Sequence, residues 1–247
     1  VAPSILEQEK IGEIFKQLDK AISEEEQKLD KLKTIKKSML QKMFPKPGSK
    51  VPEIRFKGFT GDWETCTVSK LLIERNQQAP KSIEYPLMAF VAETGVTPKG
   101  ERYNRDFLVN DSENKKYKKT EYGDFIYSSN NLTTGSIGLN QYGSACISPV
   151  YSIFQTTEFA NSDFIGRLLI QKTFINEMVR WRQGVIYGQW RIHESDFLKI
   201  EVQAPSLLEQ EKIGEIFKHL DKAISNQEQK LDKLKTIKKS MLQKMFV

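Results

Sequence analysis

Three stretches in the middle of the chain carry side chains whose chemistry suits nucleic acid. The first is "KKYKK" (115–119), in which lysines surround Tyr117 with no acidic residue between them. Ammonium groups bind the phosphates of a nucleic-acid backbone, which carries dense negative charge. A solvated surface loop is the alternative interpretation. The candidate phosphate contacts are Lys115, Lys116, Lys118 and Lys119.

The second stretch, "SSNNLTTGSIGLNQYGS" (128–144), has no charged residue and is rich in Ser, Asn, Thr, Gln and Gly. Asparagine and glutamine amides can pair with the edge of adenine in the major groove of DNA. An ordinary polar hairpin turn would have a similar composition. The candidate base contacts are Ser129, Asn130, Asn131, Thr133 and Gln141.

The third stretch, "RWRQGVIYGQWR" (180–191), combines arginine, tryptophan and tyrosine without an acidic residue. Arginine suits phosphate or guanine contacts. In the alternative, Trp181 and Trp190 pack in the core and the arginines are ordinary surface residues. We expect Trp190 to belong to the core. The candidate contacts are Arg180, Arg182, Tyr187, Gln189 and Arg191.

Signals for catalysis are weak. The two histidines, His193 and His219, lack metal-ligand spacing with Cys66 or Cys146, and "HESD" at His193 is predicted to be a turn. "SPVY" (148–151) differs from the methyltransferase motif with Pro-Pro, because Val stands at its third position. No phosphate-binding loop or Gly-rich cofactor turn is evident. The sequence therefore predicts a non-catalytic chain with no cofactor and no catalytic or metal-binding residue.

The elements around these stretches mix helices and strands. Residues 61–203 are predicted to form an irregular α+β domain of about 140 residues, and 45–60, rich in Pro, Gly and Lys, a linker. Apolar spacing predicts helices over 68–75 and 162–184. Strands are predicted over 86–92, 124–128, 150–156 and 198–203.

The two ends of the chain are repeats of each other. Residues 2–44 align with 204–246 without a gap. Apolar residues recur in steps of three and four, which predicts helices over 1–44 and 204–247, each about 40 residues and about 60 Å long. The positions that differ are Ile5/Leu207, Gln17/His219, Glu24/Asn226 and Glu25/Gln227.

Both helices adjoin the same domain, so they are predicted to pair antiparallel as a stalk. Two nearly identical helices in that arrangement have a pseudo-twofold axis, and Glu25 is predicted to meet Gln227 near the centre. The two ends of the stalk would then be alike, and a second domain preceding Val1 is expected to occupy the other end. A coiled coil formed between two chains is the open alternative.

Composition sets broad limits on the protein class. The chain has 247 residues and a net charge of +6, a mild basic excess that alone says little about nucleic acid. No apolar run is long enough for a transmembrane helix, and the start lacks a secretory signal. The two cysteines indicate reduced thiols. We expect a cytoplasmic protein without membrane association, and Val1 indicates a processed chain or a fragment.

With these residues assembled, the sequence resembles the specificity subunit of type I restriction–modification enzymes. The resemblance rests on "APSLLEQEKIGEIFKHLDKAI" (204–224), its N-terminal twin, and "VPEIRFKGFTGDWE" (51–64). "GDFIYSS" (123–129) and "SPVYSIFQ" (148–155) are similar to the core of a target recognition domain.

This resemblance implies an α+β target recognition domain plus a long antiparallel coiled-coil stalk of two helices. It implies recognition of half of a bipartite double-stranded DNA site, with the helices as spacer and as dock for methyltransferase subunits, joined indirectly by restriction subunits. The subunit itself would be non-catalytic. This chain departs from the family pattern in having one recognition domain. Self-association through the helices stays open, and the alternative function is a coiled-coil adaptor whose middle domain binds protein.

Overall fold

The structure is a computed structural model that describes residues 4–92, 94–99, 115–184 and 189–245. The chain divides into two compact units. One consists of Val1–Lys42 together with Ile216–Val247, and the other is Met43–Glu215. The second unit thus takes in the 45–60 segment and the first turns of the last helix, in addition to residues 61–203.

The first unit consists of two long helices, α1 (Ile5–Lys42) and α6 (Leu207–Met245) from Ile216 onward. The hydroxyl of Ser4 accepts a hydrogen bond from the backbone N–H of Glu7 and caps α1. Ion pairs join the start of one helix to the end of the other, as between Lys36 and Asp221 at 2.5 Å. The predicted antiparallel pairing within the chain is confirmed.

The centre of the stalk has the predicted contact between the two helices. The Gln227 side-chain amide donates hydrogen bonds to the Glu25 carboxylate at 2.5 Å and to the Glu25 backbone carbonyl at 3.0 Å. Apolar seam residues such as Leu18 and Leu32 are only half-buried, because a two-helix seam is open on both flanks. Ile14 and Ile35 lie outside the seam and are exposed.

Short antiparallel strands build the second unit. The order in the largest sheet is β2-β10-β7-β8, and a smaller sheet has the order β3-β6-β9. The pairs β1-β13, β4-β5 and β11-β12 complete the strand pairing of the described residues. The strand bounds are β1 Glu64–Thr67, β2 Leu72–Glu74, β3 Gln78–Ala79, β4 Met88–Val91, β5 Gly95–Pro98, β6 Tyr117–Thr120, β7 Phe125–Tyr127, β8 Ile137–Leu139, β9 Ala145–Ile147, β10 Ser152–Thr156, β11 Gln183–Gly184, β12 Trp190–Arg191 and β13 Glu201–Ala204.

An aromatic core holds the largest sheet. Phe125, Tyr127, Phe154 and Phe197 are fully buried, with ring centroids 4.6 to 6.0 Å apart where the rings meet. Every residue of β7 is buried, because β7 lies between two other strands and both faces of the sheet are covered. This core fixes the C-terminal end of β7, from which the candidate surface starts.

Two predicted helices are shorter than expected. The helix predicted over 162–184 is divided into α3 (Ser162–Leu168) and α4 (Lys172–Arg180), because Gln171 between them has extended backbone. The helix predicted over 68–75 ends after one turn as α2 (Val68–Leu71), and β2 follows. Pairing of β2 with β10 overrides the helical spacing there.

The first turns of α6, which belong to the second unit, are held by polar contacts. The Arg55 guanidinium donates two hydrogen bonds to the Glu209 carboxylate, at 2.7 and 2.8 Å, and Glu209 is buried. The Gln210 amide oxygen accepts from the backbone N–H of Asn161. A bidentate pair of this kind fixes direction as well as distance, so it holds the first turn of α6 in place within the second unit.

Candidate nucleic-acid interface

An exposed β-hairpin presents the third stretch to solvent. Strands β11 and β12 pair Gly184 with Trp190 and Gln183 with Arg191. Trp190 is 49% exposed, so the prediction that it packs in the core is wrong. Its ring lies over Gly184, where an added Cβ would be 3.9 Å from it. Trp63 is the tryptophan that fills the core.

The second stretch lies directly against this hairpin. The side-chain oxygen of Asn130 accepts a hydrogen bond from the backbone N–H of Trp190 at 2.6 Å. The hydroxyl of Ser129 accepts from the backbone N–H of Ile192 at 3.0 Å. Two stretches that the sequence treats separately therefore form one surface, which we call the hairpin surface: 129–134 together with 183–184 and 189–191.

Between β7 and β8 the chain makes a short 3-10 helix, Leu132–Thr134. Leu132 is fully buried and anchors the turn, which leaves Asn131 and Thr133 exposed. Gly135 ends the helix with a left-handed backbone, φ 90°, which glycine adopts without strain. The turn thus holds an amide and a hydroxyl toward solvent next to Trp190.

A buried polar cluster supports the hairpin surface from below. It centres on Glu194 in α5 (Glu194–Phe197), the segment predicted as a turn. The Glu194 carboxylate accepts from the Ser152 hydroxyl at 2.8 Å and lies 3.6 Å from Arg191 and 4.0 Å from Lys118. Burial raises the pKa of Glu194, but hydrogen bonds from a backbone N–H and Ser152 outweigh it, and the pKa is lowered.

Lys118, which the sequence predicted as a phosphate contact, is buried in a strand and does not lie on an exposed loop. It lies in β6, the middle strand of a sheet in which β6 pairs with both β3 and β9, and it is only 7% exposed. Its ammonium group faces the buried cluster at Glu194. Lys115 and Lys116 precede the strand and are exposed.

The remaining candidates lie outside the hairpin surface. The Lys119 ammonium is 3.8 Å from the ring centroid of Tyr85. Gln141 is exposed but follows β8, whose last residue pairs with Phe125, so Gln141 lies at the opposite end of that strand pair from Asn130. Tyr187 lies outside the described residues.

The two arginines before the hairpin differ in environment. Arg180 is exposed and forms an ion pair with Glu177 at 2.7 Å. Arg182 has its Nε and Nη2 atoms buried with no hydrogen-bond partner in the described part of the chain. Burial lowers the pKa of its guanidinium.

Sequence reasoning missed the supporting residues. Ser152 and Glu194 hold the surface, yet neither stands in a candidate stretch. Only the spacing of Arg191 and Glu194, three residues apart, could have indicated an ion pair. Among the described residues, no helix is long and apolar enough to cross a membrane, and no group of three or more His, Cys, Asp or Glu side chains could hold a metal ion.

Comparison of the sequence with profiles of known protein families identifies the family of this chain. Residues 75–236, more than half of the chain, match the sequence profile described as "Type I restriction modification DNA specificity domain". The chain belongs to this family. A comparison with curated protein sequences found no match.

Solved structures of specificity subunits share the fold. The HsdS subunit from Thermoanaerobacter tengcongensis has 15% identity and a TM-score of 0.59, over 95% of this chain and 56% of that one. The S subunit of the type I restriction–modification system from M. genitalium has 14% identity and a TM-score of 0.58, over 97% and 60%.

A third structure, titled for complex assembly and conformational transition of the type I R-M system, has 14% identity and a TM-score of 0.56, over 96% and 57%. This chain therefore spans between 56% and 60% of the length of these three structures. The likeness concerns the fold, an α+β unit with long helices at both ends of the chain.

Proposed function

We propose that this chain recognises half of a bipartite double-stranded DNA site as part of a type I restriction–modification complex. The observation that carries the proposal is the hairpin surface, which exposes an aromatic ring, amides and a guanidinium on a chain of the DNA specificity family. Base edges are read by such groups, whereas phosphates are held by charge. The chain itself would be non-catalytic.

The candidate residues divide into two roles. The base-reading group would be the exposed residues of the hairpin surface. Phosphate contacts would come from lysines and from the guanidinium groups of Arg180 and Arg182. Ser129 and Asn130 would act through the hairpin that they hold. The proposed base contacts are Asn131, Thr133, Gln189, Trp190 and Arg191, and the proposed phosphate contacts are Lys115, Lys116, Lys119, Arg180 and Arg182, with Gln141 and Tyr187 as further DNA contacts.

The long helices would serve as spacer and dock. Residues 1–44 and 204–247 would be the spacer helices, 45–60 a linker and 61–203 the recognition domain. Helices of 38 and 39 residues would span about 57 Å. Methyltransferase subunits would bind the isoleucines outside the seam, since Ile14, Ile35 and Ile237 are exposed. Restriction subunits would join that complex indirectly.

The test is a selection from randomised DNA duplexes with the methyltransferase subunit present, followed by salt titration on the selected and a scrambled duplex. We expect a defined half-site and an affinity that falls steeply with salt. The double variant Trp190→Ala/Arg191→Ala removes two proposed base contacts whose side chains are exposed, so it should lose the preference for the selected duplex. Enrichment of no motif, together with binding that salt does not change, would instead favour the protein-binding adaptor.

A further inference from the structure

The ion pairs of the stalk reveal its internal symmetry. Each residue of α1 has its repeat 202 positions later in α6. The pair Lys33–Glu228, at 2.6 Å, has the repeat pair Lys235–Glu26, at 2.7 Å. In the first pair the lysine lies on α1 and the glutamate on α6, and in the second pair this is reversed. A pseudo-twofold axis across the antiparallel helices requires such an exchange. The pairs Lys36–Asp221 and Lys238–Asp19 are related in the same way.

One contact is its own symmetry mate. Glu25 and Gln227 are repeat positions that meet each other, so they lie on the pseudo-twofold axis. In an antiparallel pair of identical helices, this position would meet a copy of itself. It is also one of the positions at which the repeats differ. The sequence departs from symmetry at the place where symmetry would bring two like side chains together.

At the pseudo-twofold axis, several donors surround the Glu25 carboxylate. Glu25 is 7% exposed, and besides Gln227 it pairs with Lys28 at 2.7 Å and Lys230 at 3.0 Å. Lys28 and Lys230 are repeats of each other, so they flank the axis symmetrically. The contact therefore consists of one carboxylate, one amide and two ammonium groups.

We propose that Glu25 and Gln227 favour pairing between the two unlike helices, α1 with α6, over pairing between two copies of the same helix. Two copies of α1 would bring two Glu25 carboxylates into contact at a buried position, where ionisation of both is unfavourable. Two copies of α6 would leave both flanking lysines without a carboxylate. A helix with Glu at the axis therefore fits a helix with Gln there. This inference goes beyond the proposed function and does not depend on DNA binding.

The reversed pair provides the test, with the full chain as the sample. Glu25→Gln gives an amide on both helices, and Gln227→Glu gives a carboxylate on both. The double variant Glu25→Gln/Gln227→Glu restores one of each with the flanking lysines unchanged. By thermal unfolding followed with far-ultraviolet circular dichroism, we expect each single variant to lower Tm by about 2–4 °C and the double variant to recover it.

The charged groups around the axis predict a pH effect on the two-carboxylate variant. Glu25 faces Lys28 on its own helix and Lys230 on the other, with Glu24 beside Lys28. When the pH is lowered from about 7 to about 4, one of the two carboxyl groups takes up a proton and donates a hydrogen bond to the other. The Tm difference between Gln227→Glu and the unchanged chain should then narrow.

The matched control is the neighbouring repeat position, Glu24 and Asn226, which also differs but is exposed in both helices. Exchanging these residues changes the same charges away from the axis, so the two single effects should add. Additive effects at Glu25 and Gln227 as well, or single variants as stable as the unchanged chain, would overturn the proposal.

Discussion

The side-chain oxygen of Asn130 accepts a hydrogen bond from the backbone N–H of Trp190 at 2.6 Å, across 60 residues of sequence. An oxygen used in this way holds the hairpin in place, and the neighbouring Ser129 does the same for Ile192. Asn130 thus differs from Asn131, whose exposed position in the turn suits direct contact with a base. The two asparagines should therefore respond differently to substitution.

Asn130→Asp separates positioning from base reading. Aspartate keeps an oxygen that accepts from Trp190 but lacks the amide donors that pairing with adenine needs. We expect weaker binding to all duplexes, because of the added negative charge, with the ratio between selected and scrambled duplexes unchanged. Asn130→Ala removes the acceptor and should reduce that ratio. The measurement is a titration of each variant on both duplexes.

Asn131→Ala is the companion variant at the adjacent exposed position. It should cost about 1–3 kcal/mol on the selected duplex and little on the scrambled one. If Asn130→Asp abolishes discrimination while Asn131→Ala has no effect, Asn130 reads a base and the roles are reversed.

Trp190→Ala should affect DNA binding more than stability. The ring is half-exposed, so its loss should change the free energy of unfolding by less than about 0.5–1 kcal/mol. Loss of an apolar contact with base edges should weaken binding to the selected duplex by about 1–3 kcal/mol. Trp63→Ala is the contrast, because Trp63 is 1% exposed and its truncation should cost about 3–5 kcal/mol of stability. Unfolding by denaturant and duplex titration together measure both effects.

Replacing Lys116 and replacing Lys118 should change different properties of the protein. Lys116→Ala removes an exposed charge and should lower the salt slope of DNA binding by about 1, with stability unchanged. Lys118→Ala leaves the half-buried Glu194 without that charge and should reduce stability by about 1–3 kcal/mol. Salt titrations and urea unfolding of both variants provide the comparison. Equal salt slopes for both variants, with no loss of stability, would contradict the assignment.

The repeat offers a matched pair of glycines. An added Cβ at Gly214 would lie 2.6 Å from Oδ1 of Asn161, the residue that caps α3, whereas at Gly12 it would meet nothing within 4 Å. Gly214→Ala should therefore reduce stability by about 1–3 kcal/mol. Gly12→Ala should increase stability by about 0.5–1 kcal/mol, because alanine favours helix. Thermal unfolding of the two variants measures the difference, and equal shifts would show that the contact at Asn161 relaxes freely.

The sequence predicted the stalk better than the second unit, for a physical reason. Helical periodicity and the repeat are local signals, so α1, α6 and even the Glu25–Gln227 contact follow from spacing. The strands over 88–91, 125–127 and 152–156 fell within their predicted ranges, and the strand over 201–204 extends one residue beyond the predicted range of 198–203. The end of the helix at Leu71 did not follow, because pairing of β2 with β10 decides it.

The candidate surface depended on contacts that no local pattern contains. The three stretches were found because their composition is unusual, but which of them meet is set by the fold. Lys118 has the same neighbours in sequence as Lys116, yet the fold places it in a strand with its side chain buried. The prediction that Trp190 packs in the core failed for the same reason, since nothing in the local sequence indicates that this tryptophan is exposed on a hairpin.

The acid stability of the stalk should depend on Glu25. Hydrogen bonds from Gln227, and then from Lys28 and Lys230, lower the pKa of Glu25 from 4.5 to about 2. A folded-state pKa below the unfolded value stabilises the fold above about pH 4.5, and this contribution is lost as the pH falls toward about 2. We therefore expect the thermal stability of the unchanged chain, followed by its helix signal, to fall across that range. The stability of Glu25→Gln should fall less, because this variant has no carboxyl group to protonate at position 25. Exposed Glu24→Gln is the control and should follow the unchanged chain. Parallel acid profiles for all three proteins would show that the Glu25 carboxylate does not contribute.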